Sequence, residues 1–91
     1  MKFSVKNVFD WLREHNGVYT VRTYYSPMTQ IIMVDDIGFC NREYIGEVKG
    51  ADDLRAYVAD SGFASAESWF GMAKHICRDN RMYLYWVCKS M

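Results

Sequence analysis

The chain is short of almost everything that would assign it to a specialised class. It has one proline and six glycines in 91 residues, too few for a Pro/Gly-rich linker or a low-complexity tail. Its three cysteines, Cys40, Cys77 and Cys88, are widely spaced and form no C-x-x-C pair, which argues against a disulfide framework and against a zinc site. His75 stands two residues before Cys77, but a helix points residues two apart to divergent faces. No metal and no cofactor is therefore expected. No apolar run approaches the roughly 20 residues that span a bilayer. The opening MKFSVKNVF is broken by lysine and asparagine and reads as the start of a helix rather than a leader. A cytoplasmic protein with no membrane partner is the expectation. Net charge is also missing: 11 basic residues balance 11 acidic ones. The broad positive field of a general nucleic-acid binder is absent, so an anionic ligand would need a local patch.

Apolar and aromatic mass is what the chain has in quantity. Three Trp, five Phe and seven Tyr give a single small domain large pieces to bury, which matters near the lower size limit for folding alone. Residues 4–16 read as a helix. Ser4 is a candidate cap, Val5, Val8, Phe9 and Leu12 form one apolar stripe, and Asn16-Gly17 supplies the stop. GVYTVRTYY, residues 17–25, alternates as a strand, with Val18, Thr20, Arg22 and Tyr24 on one face. TQIIMV at 29–34 reads as a second, more fully buried strand, followed by turn residues Asp35-Asp36-Ile37-Gly38. A third strand fits about 43–49, where Gly46 marks a bulge or a close backbone approach.

Residues 52–61 read as a short helix with Leu54, Tyr57 and Val58 inward, stopped at Gly62 with Phe63 as the closing contact. Ser65 caps the next helix, whose apolar face is Trp69, Met72, Ala73 and Ile76. Asp79-Asn80 turns the chain into MYLYWVC, a closing strand at 82–88. The order helix, three strands, two helices, strand is α+β. The first three strands lie too close together for helical crossovers. A small curved sheet closing towards a barrel, with flanking helices over one opening, is the economical solution.

Two local signatures in that order resemble the ASCH domain, a family of the PUA-like superfamily of small β-barrels. One is a helix ending in glycine before a T-x-R strand, here Gly17 and Thr20-Val21-Arg22. The other is a helix ending in a polar residue plus Gly-Phe, then Ser and an acidic helix start, here Ala59 to Glu67. YIGEVKGADDL lies between them, and the likeness covers about residues 8–89. The resemblance implies RNA binding in a cleft between barrel and helices, lined by the T-x-R strand. One branch of the family hydrolyses an acetylated cytidine. It uses a lysine three positions before the threonine and a glutamate before the Gly-Phe element. Gly17 and Ser61, with Asp60 beside it, occupy those places here, so no catalytic residues are assigned.

The candidate ligand-binding residues are Thr20, Arg22, Tyr24, Lys74, Arg78 and Arg81. Arg22 can fork onto a phosphate or a base edge, or it can pair with a local carboxylate such as Glu43 or Glu47. Tyr24, Tyr25, Tyr44, Tyr83 and Tyr85 can stack on bases or pack as cross-strand pairs. Lys74, Arg78 and Arg81 can hold phosphate or simply complement a helix C-terminus. The expected partner is RNA or a nucleotide-like ligand. The alternatives are an amidohydrolase of modified nucleosides, which needs a base such as Asp60 or Lys49, and a small protein adaptor. Asp35-Asp36, Asp52-Asp53 and His15 read as structural.

Overall fold

The computed structural model describes residues 3 and 5–90, and its first element is α1, Lys6–Glu14. Val8 and Leu12 are the buried pair of this helix, at the i, i+4 spacing that stacks side chains on one face. The expected Ser4 cap lies outside the described residues. At the other end, the Lys89 ammonium donates to the Arg13 carbonyl at 2.8 Å. The His15 ring nitrogen Nδ1 lies 3.0 Å from the Trp11 carbonyl. The first answers a carbonyl of the last helical turn; the Trp11 carbonyl also accepts from the His15 amide at 2.8 Å.

Four strands form one antiparallel sheet: β1, Gly17–Arg22; β2, Gln30–Val34; β3, Gly38–Val48; and β4, Met82–Lys89. Their order is β1-β4-β3-β2. The last strand of the chain enters between the first and the third, so Tyr85 sits opposite both Thr20 and Tyr44. Gly46 marks a bulge, because Tyr44 pairs with Tyr85 but Gly46 with Leu84, which leaves Ile45 as the extra residue. The sheet is open. β1 and β2 are its edges, and no pairing joins them among the described residues.

Three strand expectations are corrected. β1 ends at Arg22, paired with Tyr83 near the start of β4, so residues 23–29 leave the sheet and Tyr24 is not on the strand. β3 starts at Gly38 rather than near residue 43. β2 is an edge strand and not a buried one: Ile31 is 69% and Met33 47% exposed, while Val34 is buried. A short apolar run does not reveal its neighbours, and here the helices pack on the Val48, Met82 and Leu84 end of that sheet face instead.

Residues Ala51–Asp60 form a 3-10 helix rather than an α-helix. Ala51, Leu54 and Tyr57 face one core at three-residue spacing, which suits three residues per turn. The Asp53 carboxylate accepts from the Lys49 and Gly50 amides at 2.7 and 3.2 Å and so fixes the start of this element. Helix α2, Ala66–Cys77, begins at Ser65, whose Oγ accepts from the Ser68 amide at 3.1 Å. Leu54, Trp69 and Ala73 pack on Val48, Met82 and Leu84, while Val8 and Leu12 pack on Val18, Cys40 and Val87 across the sheet. Each fully buried leucine contributes about 1.5–3 kcal/mol, so the two helical layers are stabilised independently. Among the described residues, no helix is long and apolar enough to cross a membrane.

Arg55 ties the 3-10 helix to α2 by pairing with Asp52 at 2.8 Å and Glu67 at 2.6 Å. Its hydrogen bond holds the Glu67 carboxyl below the ordinary glutamate value of 4.5. A carboxyl lowered in the folded state gives stability above the ordinary value and loses it as pH falls through the folded one. Glu67→Gln should therefore slightly flatten the decline of the thermal midpoint between about pH 6 and about pH 3. A decline identical to that of the parent would show that the bridge carries no pH-dependent stability.

A candidate ligand pocket at the free edge of β1

Alternation places Thr20 and Arg22 on one face of β1 and Val21 on the other, yet all three line one cavity. This happens because β1 is an edge strand, so the cavity wraps around its open side. The cavity has a volume of about 340 Å³, within the roughly 300–1,000 Å³ usual for small-molecule sites. Val8 on α1 and Trp69, Ala73 and Cys77 on α2 supply apolar walls. Met72 and Ile76 also line it and remain 40% and 44% exposed. Part of the apolar stripe of α2 thus faces the cavity instead of the core.

Thr20, Arg22, Thr23, Tyr24 and Asn80 are the polar lining, and Arg22 is the single formally charged one among the described residues that line it. Its guanidinium carbon lies 4.7 Å from the centre of the Phe3 ring, a cation–π distance. Burial is the main influence on its pKa and pushes it below the ordinary arginine value. A guanidinium nonetheless stays charged at neutral pH, so the cavity presents a partly desolvated cation. Cys77 is less suited to chemistry. Burial raises its thiol pKa, with Arg22 pulling weakly the other way, and a thiol kept protonated is a poor nucleophile.

The five tyrosines weighed as stacking platforms pack on one another. Tyr25 meets Tyr44 edge-on at 5.2 Å and Tyr83 at 5.5 Å, and Tyr24 meets Tyr85 at 5.3 Å. Tyr24 alone of the five also lines the cavity. Arg42 lies among them, its guanidinium carbon 5.0 Å from the Tyr24 ring centre and 5.4 Å from that of Tyr85. Arg42 was missed by sequence reasoning because β3 was expected to begin after it. Had the strand been extended, the period-two series Cys40, Arg42, Tyr44 would have placed it on the tyrosine face.

The basic cluster lies elsewhere. Lys74, Arg78 and Arg81 are exposed and do not line the cavity. At 100° per residue, Lys74 falls on the side of α2 away from Trp69, Ala73 and Ile76, while Arg78 lies just past the helix end at a φ of 56°. The residues weighed for hydrolase chemistry are also elsewhere, since Lys49, Asp60 and Ser61 do not line the cavity. Ser61 is buried, donates to the Val58 carbonyl at 2.8 Å and accepts from the Phe63 amide at 3.0 Å, which makes it a helix-stop residue. Asp35, Asp36 and Asp53 sit at turns or a helix start, as expected. Among the described residues, no group of three or more His, Cys, Asp or Glu could hold a metal ion.

Gly17 faces the opposite side of β1 from Thr20 and lies under Trp86, where an added Cβ would come within 2.3 Å of the indole ring. A side chain at this position, lysine included, would meet Trp86 and not the cavity. Gly17→Ala should cost about 1–2 kcal/mol, because the half-exposed indole can slide aside. Urea denaturation checks this, and an unchanged midpoint would contradict the contact.

No protein-family model matches the chain, and comparison with curated proteins and with solved structures finds no significant similarity.

Proposed function

We propose that this is an ASCH-type domain of the PUA-like class, cytoplasmic, that binds a nucleotide-like ligand in the cavity at the β1 edge. The ligand is either a free nucleotide or an unpaired residue of an RNA. One observation carries the reading: the free edge of β1 brings a desolvated Arg22, Thr20 and the apolar wall of α2 into one cavity of about 340 Å³. A planar body would lie against the apolar wall, and Thr20 and Arg22 would hold its polar edge or its phosphate. The observed order of helix, three strands, two helices and strand supports the family likeness. The described sheet is open, with β1 and β2 as its edges, so the likeness rests on the order of elements and not on a closed barrel.

A short ligand is favoured over a long RNA track. Lys74, Arg78 and Arg81 do not line the cavity, so the one cation placed for a phosphate there is Arg22 among the described residues. Calorimetric titration with the four ribonucleoside 5′-monophosphates and with short single-stranded RNAs tests this, at low and at moderate salt. The expected result is binding of at least one monophosphate with the shallow salt dependence of about one phosphate contact. Absence of binding by every nucleotide and RNA at low salt, where electrostatic attraction is strongest, overturns the reading.

A further inference from the structure

Residues 23–29 follow β1 and carry two of the polar cavity residues, Thr23 and Tyr24, yet they belong to no strand or helix. Such a stretch would ordinarily be the mobile part of a site. Here it is tied to the sheet by two side chains that do not line the cavity. Arg42 on β3 donates through Nη1 to the Tyr24 hydroxyl at 3.1 Å and through Nη2 to the Ser26 hydroxyl at 3.2 Å. Arg42 Nη2 also donates to Gln30 Oε1 on β2. Tyr85 on β4 is fully buried. Its hydroxyl donates to the Tyr24 carbonyl at 2.6 Å and accepts from the Ser26 amide at 2.8 Å. Tyr24 is therefore held at both its backbone and its side chain, and it is the one tyrosine of the cluster that reaches the cavity.

The chemistry of the two ties explains why they suit this task. A guanidinium is a rigid fork with several donors, so one residue can hold three acceptors at fixed angles. Its guanidinium carbon also lies within cation–π distance of the Tyr24 and Tyr85 ring centres, which removes freedom that a lysine would keep. The Tyr85 hydroxyl satisfies one donor and one acceptor of the segment's backbone, groups that would be costly to leave unpaired under the tyrosine cluster. Neither residue lines the cavity. Each acts through Tyr24.

We infer that Arg42 and Tyr85 are the positioning residues of the cavity: they fasten residues 23–26 as a preformed wall, so that a ligand does not have to order that wall when it binds. This rests on the ligand reading of the cavity given above. Preformed walls raise affinity by removing an ordering cost from the binding step, and the effect falls mainly on dissociation.

The test uses the full chain with Arg42→Met, which keeps an unbranched apolar stem, and Tyr85→Phe, which keeps the buried ring. Backbone relaxation of the unliganded proteins reads the mobility of residues 23–29, and a ribonucleoside 5′-monophosphate that binds the parent reads affinity and dissociation rate. Both variants should show faster motion confined to residues 23–29 and about tenfold weaker binding, with most of the change in dissociation. Should Arg42→Met fail to fold, Tyr85→Phe carries the test alone. Arg42→Lys should not rescue, since a point charge does not reproduce the fork. Unchanged mobility at 23–29, or unchanged affinity once that segment is loosened, overturns the inference while leaving the cavity reading intact. A parent protein that binds neither a ribonucleoside monophosphate nor a short single-stranded RNA overturns the cavity reading and this inference with it.

Discussion

Arg22→Met is expected to lower affinity for a nucleoside monophosphate by about ten- to hundredfold, the range for losing hydrogen bonds to a charged partner. The thermal midpoint should move by only a few degrees. The two effects separate for a physical reason. In the unliganded protein burial disfavours the Arg22 charge, and an apolar side chain of similar length keeps the contact with Phe3. In the complex, the same charge is the single cation of the lining among the described residues, and it would stand opposite the phosphate. A loss of affinity matched by a collapse of stability would point to a structural arginine. Unchanged affinity removes Arg22 from the site.

The largest stability effect is expected at Gly62. Its φ of +83° is in the left-handed region that side chains with a Cβ disfavour, at about 1–2 kcal/mol. A Cβ there would also come within 2.6 Å of the Asn7 carbonyl oxygen and 3.3 Å of Trp11 Cβ. Asn7 contributes backbone in the first turn of α1, so relief requires the helix itself to move. This differs from Gly17, where the obstacle is the far end of one indole. Gly62→Ala should therefore cost about 3 kcal/mol or more, from strain and overpacking together, and lower the midpoint by roughly 10–20 °C. Because α1 and α2 both wall the cavity, binding should weaken as well. A midpoint within a degree or two of the parent would contradict the close packing of α1 on the Gly62 corner.

What the sequence disclosed followed local chemistry. The Gly62 stop, the Ser65 cap, the Gly46 bulge and the turn at Asp35-Asp36 each rest on a residue type with one physical talent, and each is found where that talent is needed. The layers followed periodicity: Val8 with Leu12, and Trp69 with Ala73, are buried at helical spacing. What stayed hidden depends on neighbours far away in the chain. TQIIMV carries no sign that it ends the sheet, so its exposure could not be read. The β1 strand stops at Arg22 because of where β4 begins, sixty residues later, and that alone moves Tyr24 from strand to loop. Arg42 was hidden by the same kind of boundary error. For the site, Thr20, Arg22 and Tyr24 were nameable and are gathered in one cavity. Asn80 and the α1 wall depend on which strand lies at the sheet edge. Lys74, Arg78 and Arg81 were grouped by nearness in sequence; helical geometry turns Lys74 away from the cavity, and Arg78 and Arg81 lie past the end of α2.

The central claim is that the β1 edge, and not the basic end of α2, receives a nucleotide-like ligand. The most direct measurement is an amide and side-chain chemical-shift titration of isotope-labelled protein with a ribonucleoside 5′-monophosphate and with a short single-stranded RNA. Shifts gathered at Thr20–Tyr24, Ala73, Cys77 and Asn80, with the Arg22 guanidinium among the most affected, are the expected result for both. Shifts confined to Lys74, Arg78 and Arg81, or none anywhere at low salt, would contradict it.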